Sequence, residues 1–321
     1  MTMKILLHSP SSTVRRNGNR QTAAEWATML HEAGHEVRVV SSYEGEAADL
    51  LLALHAVKSR EAVLQFREAI PEGKVIVALT GTDIYPEPGA DALDTMRKAD
   101  AIITLQRRAI RQVPGDCRKK VVTVIQSAAR LLDRPEADTS SFGICVVGHL
   151  RDVKDPLLTS SALRELPASS RIHLRHAGGI LDDKYAPLVA REEKQNPRYE
   201  WVGELSEPET AKLLASSMLM VLTSLSEGGA RVVGEAVVHG TPVLSTRIDG
   251  VVGLLGEDYD GFFPVGDSKA LTALLERCEA EPDFYTRLSS QALARADQFR
   301  PEKEREALLA AIREAGKLTS S

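Results

Sequence analysis

Short apolar runs alternate with segments of helical periodicity from one end of the chain to the other, and this rhythm constrains the fold more than any other feature. KILLHS, HEVRVVS, ADLLLALH, KVIVALT, ADAIITL and KVVTVI read as strands in the first half, and FGICVVG, RIHLRH, YEWVG, MLMVLTS, TPVLSTR and GFFPV in the second. Strands that are apolar nearly throughout must be covered on both faces, which calls for parallel sheets between layers of helices. QTAAEWATMLHEAG shows the helical half of the pattern: Ala24, Met29 and Leu30 share a face near Trp26, and Gly34 supplies a left-handed cap.

A chain of 321 residues is too long for one ordinary core, and its 43% hydrophobic content is enough to fill two. The segment AARLLDRPEADTSS, 128–141, interrupts the rhythm with charge, proline and small polar residues and reads as a linker. The expected organisation is therefore α/β: a Rossmann-like domain over 1–127, a second over 142–300, their parallel sheets facing across a cleft. A terminal helix over 301–321, set off by Pro301, is free to return to the first half.

The formal charge of −5 gives no overall field that would gather nucleic acid or an anionic membrane, so any anionic ligand needs a local site. The start, MTMKILLHSP, has too short an apolar run for a signal peptide, and no stretch approaches the ~20 apolar residues of a membrane span. A cytoplasmic protein is expected. Cys117, Cys145 and Cys278 form no C-x-x-C pair and read as reduced thiols, without zinc or a disulfide framework.

Ligands of such sheets bind at the carboxyl ends of the strands, so the strand-to-helix turns carry the functional signal. The first turn, HSPSSTVRRNGNR, lacks G-x-G-x-x-G, which removes the main support for a dehydrogenase. The acid pairs Asp182–Asp183 and Glu257–Asp258, near turns, lack supporting ligands, so neither metal nor cofactor is expected. SEGGARVVGEA lies between the strand MLMVLTS and a helix. Gly228 and Gly229 let backbone N–H groups approach an anion at the positive end of that helix, a recurring way to hold phosphate. Glu227 beside a phosphate is tolerable if it accepts hydrogen bonds from ligand hydroxyls, which sugars offer. Glu235 falls about two turns on, roughly 8–12 Å along the axis, a span that fits a diphosphate with a hydroxylated ring at each end. Two solvent-facing glutamates would give the same spacing; the glycine pair and the HGTPVLST that follows separate this segment from that reading.

The stretch TSLSEGGARVVGEAVVHGTPVLSTRIDG resembles the donor-binding motif of GT-B glycosyltransferases of family four. The resemblance implies that Glu227 contacts hexose hydroxyls, that the amides of Gly228, Gly229 and Ala230 face the diphosphate, and that Glu235 binds the ribose. VVGHLRDVKDP resembles the family's first turn of the second domain, where an arginine and a lysine bind diphosphate. Lys154 takes the lysine position; His149, after Gly148, stands at the arginine position, leaving Arg151 to supply the charge. AGGILDD, from Ala177, resembles the glycine-rich turn after the next strand. Lys154 and Arg151, with the glycine amides, would stabilise a departing UDP without a metal.

The first half normally binds the acceptor in this architecture. Arg15, Arg16 and Arg20 cluster around Asn17, Gly18 and Asn19 in a stretch without acidic residues, a local cationic loop suited to an oxyanion. Thr80, Thr82 and Asp83 lie at the carboxyl end of the fourth strand; Asp83 reads as an acceptor-orienting residue, a base or a helix-capping aspartate. His8 and His55 also follow strands and read as hydrogen-bonded histidines or as acid/base groups. LTGTDIY, VIQSA, VVGHLRDVKDP and GLLGEDYDGFFPVGD together are similar to the selenosugar synthase branch of the family, over roughly Lys4 to Phe299. Gln126 and Ser127 stand where many relatives have Asn-Gly. The branch implies transfer of N-acetylglucosamine from a UDP-sugar to selenophosphate, the arginines holding the selenophosphate, with other selenoneine pathway enzymes as partners. Rival readings are a glycosyltransferase with another acceptor, a sugar-nucleotide epimerase or hydrolase, and a non-catalytic UDP-sugar-binding protein.

Overall fold

The computed structural model describes residues 2–10, 18–131 and 141–317. The chain forms two compact units, one of Met1–Gln126, Glu227–Gly229 and Pro301–Ser321, the other of Ser127–Ser226 and Ala230–Arg300.

The first unit is built on β1 (Lys4–His8), β2 (Glu36–Val40), β3 (Leu50–Leu54), β4 (Lys74–Leu79), β5 (Ala101–Thr104) and β6 (Val121–Thr123), with helices α1 (Gly18–Glu32), α2 (Arg60–Ala69) and α3 (Ala90–Lys98). The strands pair in the order β2-β1-β3-β4-β5-β6, every pair parallel. Alternate residues of one strand sort into two cores, as the two-residue period requires. Leu6, Leu51, Ala53, Val75 and Val77 pack with Val63 and Phe66 of α2 and Met96 of α3. Ile5, Leu7, Leu50, Leu52 and Ile76 face the other way, onto Trp26 and Leu30 of α1.

The buried face of α1 is Ala23, Trp26, Ala27 and Leu30. The expected face differs by one position: Ala24 is exposed and Met29 only half-buried. At 100° per residue, Trp26 and Leu30 bring 23 and 27 into line, the i, i+3, i+4, i+7 set, and carry 24 away from the sheet. The helix ends in a Schellman motif. Gly34, at φ +88, donates to the carbonyl of His31, and His35 donates to that of Leu30.

The second unit contains β7 (Phe142–Val147), β8 (Ile172–Ala177), β9 (Tyr199–Gly203), β10 (Leu219–Leu222), β11 (Val243–Thr246) and β12 (Phe262–Phe263). Their order is β12-β11-β10-β7-β8-β9, again all parallel. Its helices are α4 (Leu158–Arg164), α5 (Tyr185–Gln195), α6 (Glu207–Ser216), α7 (Arg231–Val238), α8 (Asp249–Leu255), α9 (Ser268–Ala280) and α10 (Pro282–Leu293). Residues 128–131, read as the start of a linker, are held in this unit: Ala128 donates to the carbonyl of Phe299 and Leu131 to His239 Nε2. The remainder of that segment up to 140 lies outside the described residues.

The last helix, α11 (Pro301–Lys317), belongs to the first unit and lies on β4, β5 and β6 beside α1. Leu308, Ala311 and Ala315 complete the core that Trp26 begins. Trp26 Nε1 donates to Glu304 Oε1 at 2.7 Å with both side chains buried. Among the described residues no helix is long and apolar enough to cross a membrane.

Candidate active site

Strand order directs attention to two places. In the second unit the chain runs from β7 to one side of the sheet through β8 and β9, then resumes on the other side with β10, so the switch point lies between β7 and β10. In the first unit the corresponding point lies between β1 and β3. Crevices outside the carboxyl ends of strands at such points are where open α/β sheets bind ligands.

In the second unit the loops after β7 and β10 are laced together. Leu225 N–H donates to the carbonyl of Val153 at 2.8 Å. The buried Thr223 hydroxyl reaches the carbonyls of Lys154 and Asp155 at 2.8 and 2.9 Å. Thr246 in turn donates to the carbonyl of Ser224. These bonds fix the tight turn Asp152–Lys154, and the Lys154 stem lies over Gly148, whose added Cβ would meet Lys154 Cδ at 3.8 Å. Asp152, the carboxylate of this loop, is paired with Lys184 and accepts from Tyr185 Oη at 2.8 Å. The Lys184 and Tyr185 hydrogen bonds hold its pKa below the ordinary carboxylate value. The Asp152 charge is thus compensated, whereas Asp155, next to Lys154, is half-buried and burial raises its pKa.

The loop after β8 runs alongside. Leu150 donates to the carbonyl of Gly179, and Gly148 to that of Ala177. A Cβ on Gly178 would fall 2.0 Å from the Gly148 carbonyl oxygen, so only glycine lets the two backbones meet. Gly178 of AGGILDD therefore serves backbone packing, while Gly179 lies against the side chains of Glu204 and His149. His149 Nδ1 accepts from the Gly179 N–H at 3.1 Å, which places the ring proton on Nε2. Burial lowers its pKa; Glu204 opposes this, while Arg151 and Lys154 reinforce it. His149 is accordingly a neutral donor at the position read as arginine.

The helix after β10, α7, starts at Arg231 with Ala230 as its cap residue. Glu235 is half-buried, and Arg231 Nε donates to its Oε1 at 3.1 Å. His239 Nδ1–H donates to the carbonyl of Glu235 at 2.6 Å, and its Nε2 accepts from the N–H of Leu131. Gly240, at φ +72, and Thr241 close α7 with a second Schellman pair to Val237 and Ala236. Gly234 faces the Phe299 ring, 2.7 Å from where a Cβ would stand.

Residues 227–229 group with the first unit. A Cβ on Gly228 would lie 2.2 Å from the carbonyl oxygen of Thr80 and one on Gly229 2.4 Å from Leu105 Cβ. Both glycines are thus required by close packing as well as by any anion they could approach.

In the first unit, Asp83 is buried and its carboxylate accepts from the N–H groups of Ala56, Thr80 and Gly81 at 2.7–3.2 Å. It ties the turn after β3 to the turn after β4 and caps neither adjacent helix, whose N-cap residues are Ser59 and Gly89. His55, at φ +77, is buried; its Nδ1 accepts from the N–H groups of Val57 and Lys58, both at 3.3 Å, so its proton sits on Nε2. That Nε2–H donates to Thr82 Oγ1 at 3.0 Å. Burial lowers the His55 pKa, the Asp83 charge opposing. Thr82 is exposed, and accepting from His55 leaves its own O–H available to donate. His8 Nδ1 donates to Ser59 Oγ at 2.8 Å, since that hydroxyl is committed to the carbonyl of Leu54. Thr22 Oγ1 accepts from Gln126 Nε2 at 2.7 Å, joining the end of β6 to the first turn of α1. Gly18, Asn19 and Arg20 form that turn, which has no acidic residue. Arg15 and Arg16 lie outside the described residues.

The three cysteines are buried and unbridged. Among the described residues no group of three or more His, Cys, Asp or Glu side chains is placed to hold a metal ion.

Two doubly wound parallel α/β units in one chain, with the candidate site at the switch point of the second, define a GT-B fold. The family model for glycosyl transferases group 1 matches residues 127–295, more than half of the chain, and the chain belongs to that family. It is 25% identical over 226 residues to the MMP alpha-(1->4)-mannosyltransferase of Mycolicibacterium hassiacum, a match covering 63% of this chain and 54% of the relative. The chain thus spans about half the length of that curated relative. Among solved structures, it is similar to Anabaena HepE in complex with UDP-glucose, with TM-score 0.76, 18% identity and coverage of 97% of this chain and 99% of the other. Sucrose-phosphate synthase from Thermosynechococcus elongatus gives TM-score 0.75 at 16% identity, covering 99% and 100%.

Sequence reasoning missed Thr223, His176 and Tyr199. A signal existed for the second: in RIHLRH, His176 occupies the inward register with Ile172 and Leu174, and a polar residue in a buried row calls for a partner.

Proposed function

We propose that this protein is a UDP-sugar-dependent glycosyltransferase, and within that class a selenosugar synthase that transfers N-acetylglucosamine to the selenium of selenophosphate. The observation that carries the donor half is the lacing of the loops after β7 and β10 at the switch point of the second sheet, with the Lys154 stem seated on Gly148. Lys154 and Arg151 are the cations for the leaving diphosphate, joined by the Nε2–H of His149 and the amides of Gly148, Gly228, Gly229 and Ala230. Glu235, oriented by Arg231, accepts from the ribose, and Glu227 from the hexose. A HepE structure of the same fold holding UDP-glucose, and a mannosyltransferase among the relatives, support a sugar-nucleotide donor.

The acceptor is anionic. Arg20, with Arg15 and Arg16, supplies guanidinium forks, and Thr82, whose hydroxyl accepts from His55 and can still donate, stands near Thr80. In the reaction the C1–O bond to UDP breaks, its electron pair leaving with the diphosphate, as selenium bonds to C1. An anionic selenium nucleophile needs no dedicated base, which agrees with Asp83 being committed to backbone N–H groups. The similarity to the Mycolicibacterium mannosyltransferase favours a second reading, transfer of a hexose to a hydroxyl acceptor. Incubation with UDP-N-acetylglucosamine, with and without selenophosphate, separates the two when UDP is followed by chromatography. Release that depends on selenophosphate supports the first reading; release only with a sugar acceptor supports the second; release into water alone indicates a hydrolase.

A further inference from the structure

Behind the loop after β7 stands a buried polar relay that the proposed chemistry does not use. His176, on β8, is fully buried; its Nε2 lies 3.1 Å from the carbonyl oxygen of Gly148 and its Nδ1 3.1 Å from Tyr199 Oη. A carbonyl oxygen only accepts, so Nε2 carries the proton and Nδ1 accepts from the Tyr199 hydroxyl. Every polar group of the pair is satisfied in one arrangement only.

The consequence falls on the peptide between Gly148 and His149. In a trans peptide the C=O and the N–H point in opposite directions. With the Gly148 carbonyl drawn inward to His176, the His149 N–H points away from the core, and it makes no hydrogen bond among the described residues. Gly148 sits at the amino side of this peptide, where glycine permits a flip at low cost. The flipped peptide would present a carbonyl oxygen where Lys154 and Arg151 gather an anion, and would bury an unsatisfied N–H.

We propose that His176, backed by Tyr199, is a positioning residue that fixes the polarity of the Gly148–His149 peptide so that its N–H faces the donor's diphosphate. This rests on the donor reading above. Replacing His176 with Phe removes the lock while keeping a ring. UDP affinity measured by calorimetry should fall roughly tenfold, the worth of one N–H bond to a charged group, while uridine affinity by ligand-detected NMR stays nearly unchanged. His176→Gln, whose carboxamide N–H can still donate to Gly148, should recover most of the loss. Phe and Gln variants that both bind UDP as the unaltered protein does, or a Phe variant that loses UDP and uridine in equal proportion, would overturn the proposal. Should the Phe variant not fold, Tyr199→Phe, lacking one hydroxyl, should still weaken UDP severalfold with uridine unaffected; undiminished UDP binding there counts against the lock. Failure of the unaltered protein to bind UDP at all would instead remove the donor reading, and the lock with it.

Discussion

The Thr223 hydroxyl bridges two successive carbonyls, those of Lys154 and Asp155, at 2.8 and 2.9 Å, so the end of β10 holds the turn that carries the candidate diphosphate-binding lysine. Thr223→Val keeps the shape and removes both bonds, leaving two carbonyls without this donor. Urea melts should show a loss of about 1–2 kcal/mol, and UDP-sugar turnover should fall by more than the stability change explains. Unchanged turnover in a folded variant would mean that the turn holds itself.

Trp26 and Glu304 join α1 to α11 through a single buried bond of 2.7 Å. Trp26→Phe removes the donor and leaves a carboxylate, 1% exposed, one partner short. A loss on the order of 2–3 kcal/mol in chemical denaturation is expected. Trp26→Phe combined with Glu304→Leu should recover part of it, because the buried carboxylate is then gone.

The strand pattern was legible because burial on both faces of a parallel sheet forces apolar runs, and each of the twelve runs that read as strands coincides with one to within a few residues at its ends. The helix after Ser226 and its glycine cap were legible for the same reason, since Gly240 follows the last periodic residue. The face of α1 was shifted because alanine carries too little hydrophobic contrast to distinguish Ala23 from Ala24. The candidate site could be proposed from local motifs alone only at Lys154, Glu227 and Glu235. What joins those motifs was not, because Thr223, His176 and Tyr199 act on residues 23–69 positions away, and only pairing of β7 with β8 and β10 brings them together. The glycines at 178 and 228 show the opposite limit: a glycine pair in a turn signals close approach without saying whether an anion or another backbone is approaching.

Acid should weaken the fold through its buried histidines. Burial holds His176 at a pKa of about 4, from an ordinary 6.5, and lowers His8, His55 and His149 as well. Between those limits the unfolded chain takes up a proton that the native His176 refuses, so stability is full above 6.5 and falls as pH drops toward 4. The slope for one such group is about 1.4 kcal/mol per pH unit. Denaturation midpoints from pH 7 to 4.5 should therefore be flatter in His176→Gln than in the unaltered protein; parallel curves would show that the ring takes up its proton without cost to the fold.

On the acceptor side, changing Arg15, Arg16 and Arg20 together to Ala should raise the acceptor KM about tenfold or more with donor affinity nearly intact. Thr82→Val removes the exposed hydroxyl and leaves the His55 Nε2–H without its acceptor, so it should act in the same direction and more weakly. Acceptor kinetics unaltered in both would place the acceptor elsewhere in the first unit.

The proposed donor placement puts a UDP-sugar at the carboxyl end of the second sheet, with Glu235 on the ribose and Glu227 on the hexose. Calorimetric titration of UDP and of UDP-N-acetylglucosamine into the unaltered protein, Glu235→Ala and Glu227→Ala tests it most directly. Glu235→Ala should lose about tenfold or more in affinity for UDP itself, whereas Glu227→Ala should bind UDP normally and lose the extra affinity that the sugar confers. Equal losses for UDP in both variants, or none in either, would contradict it.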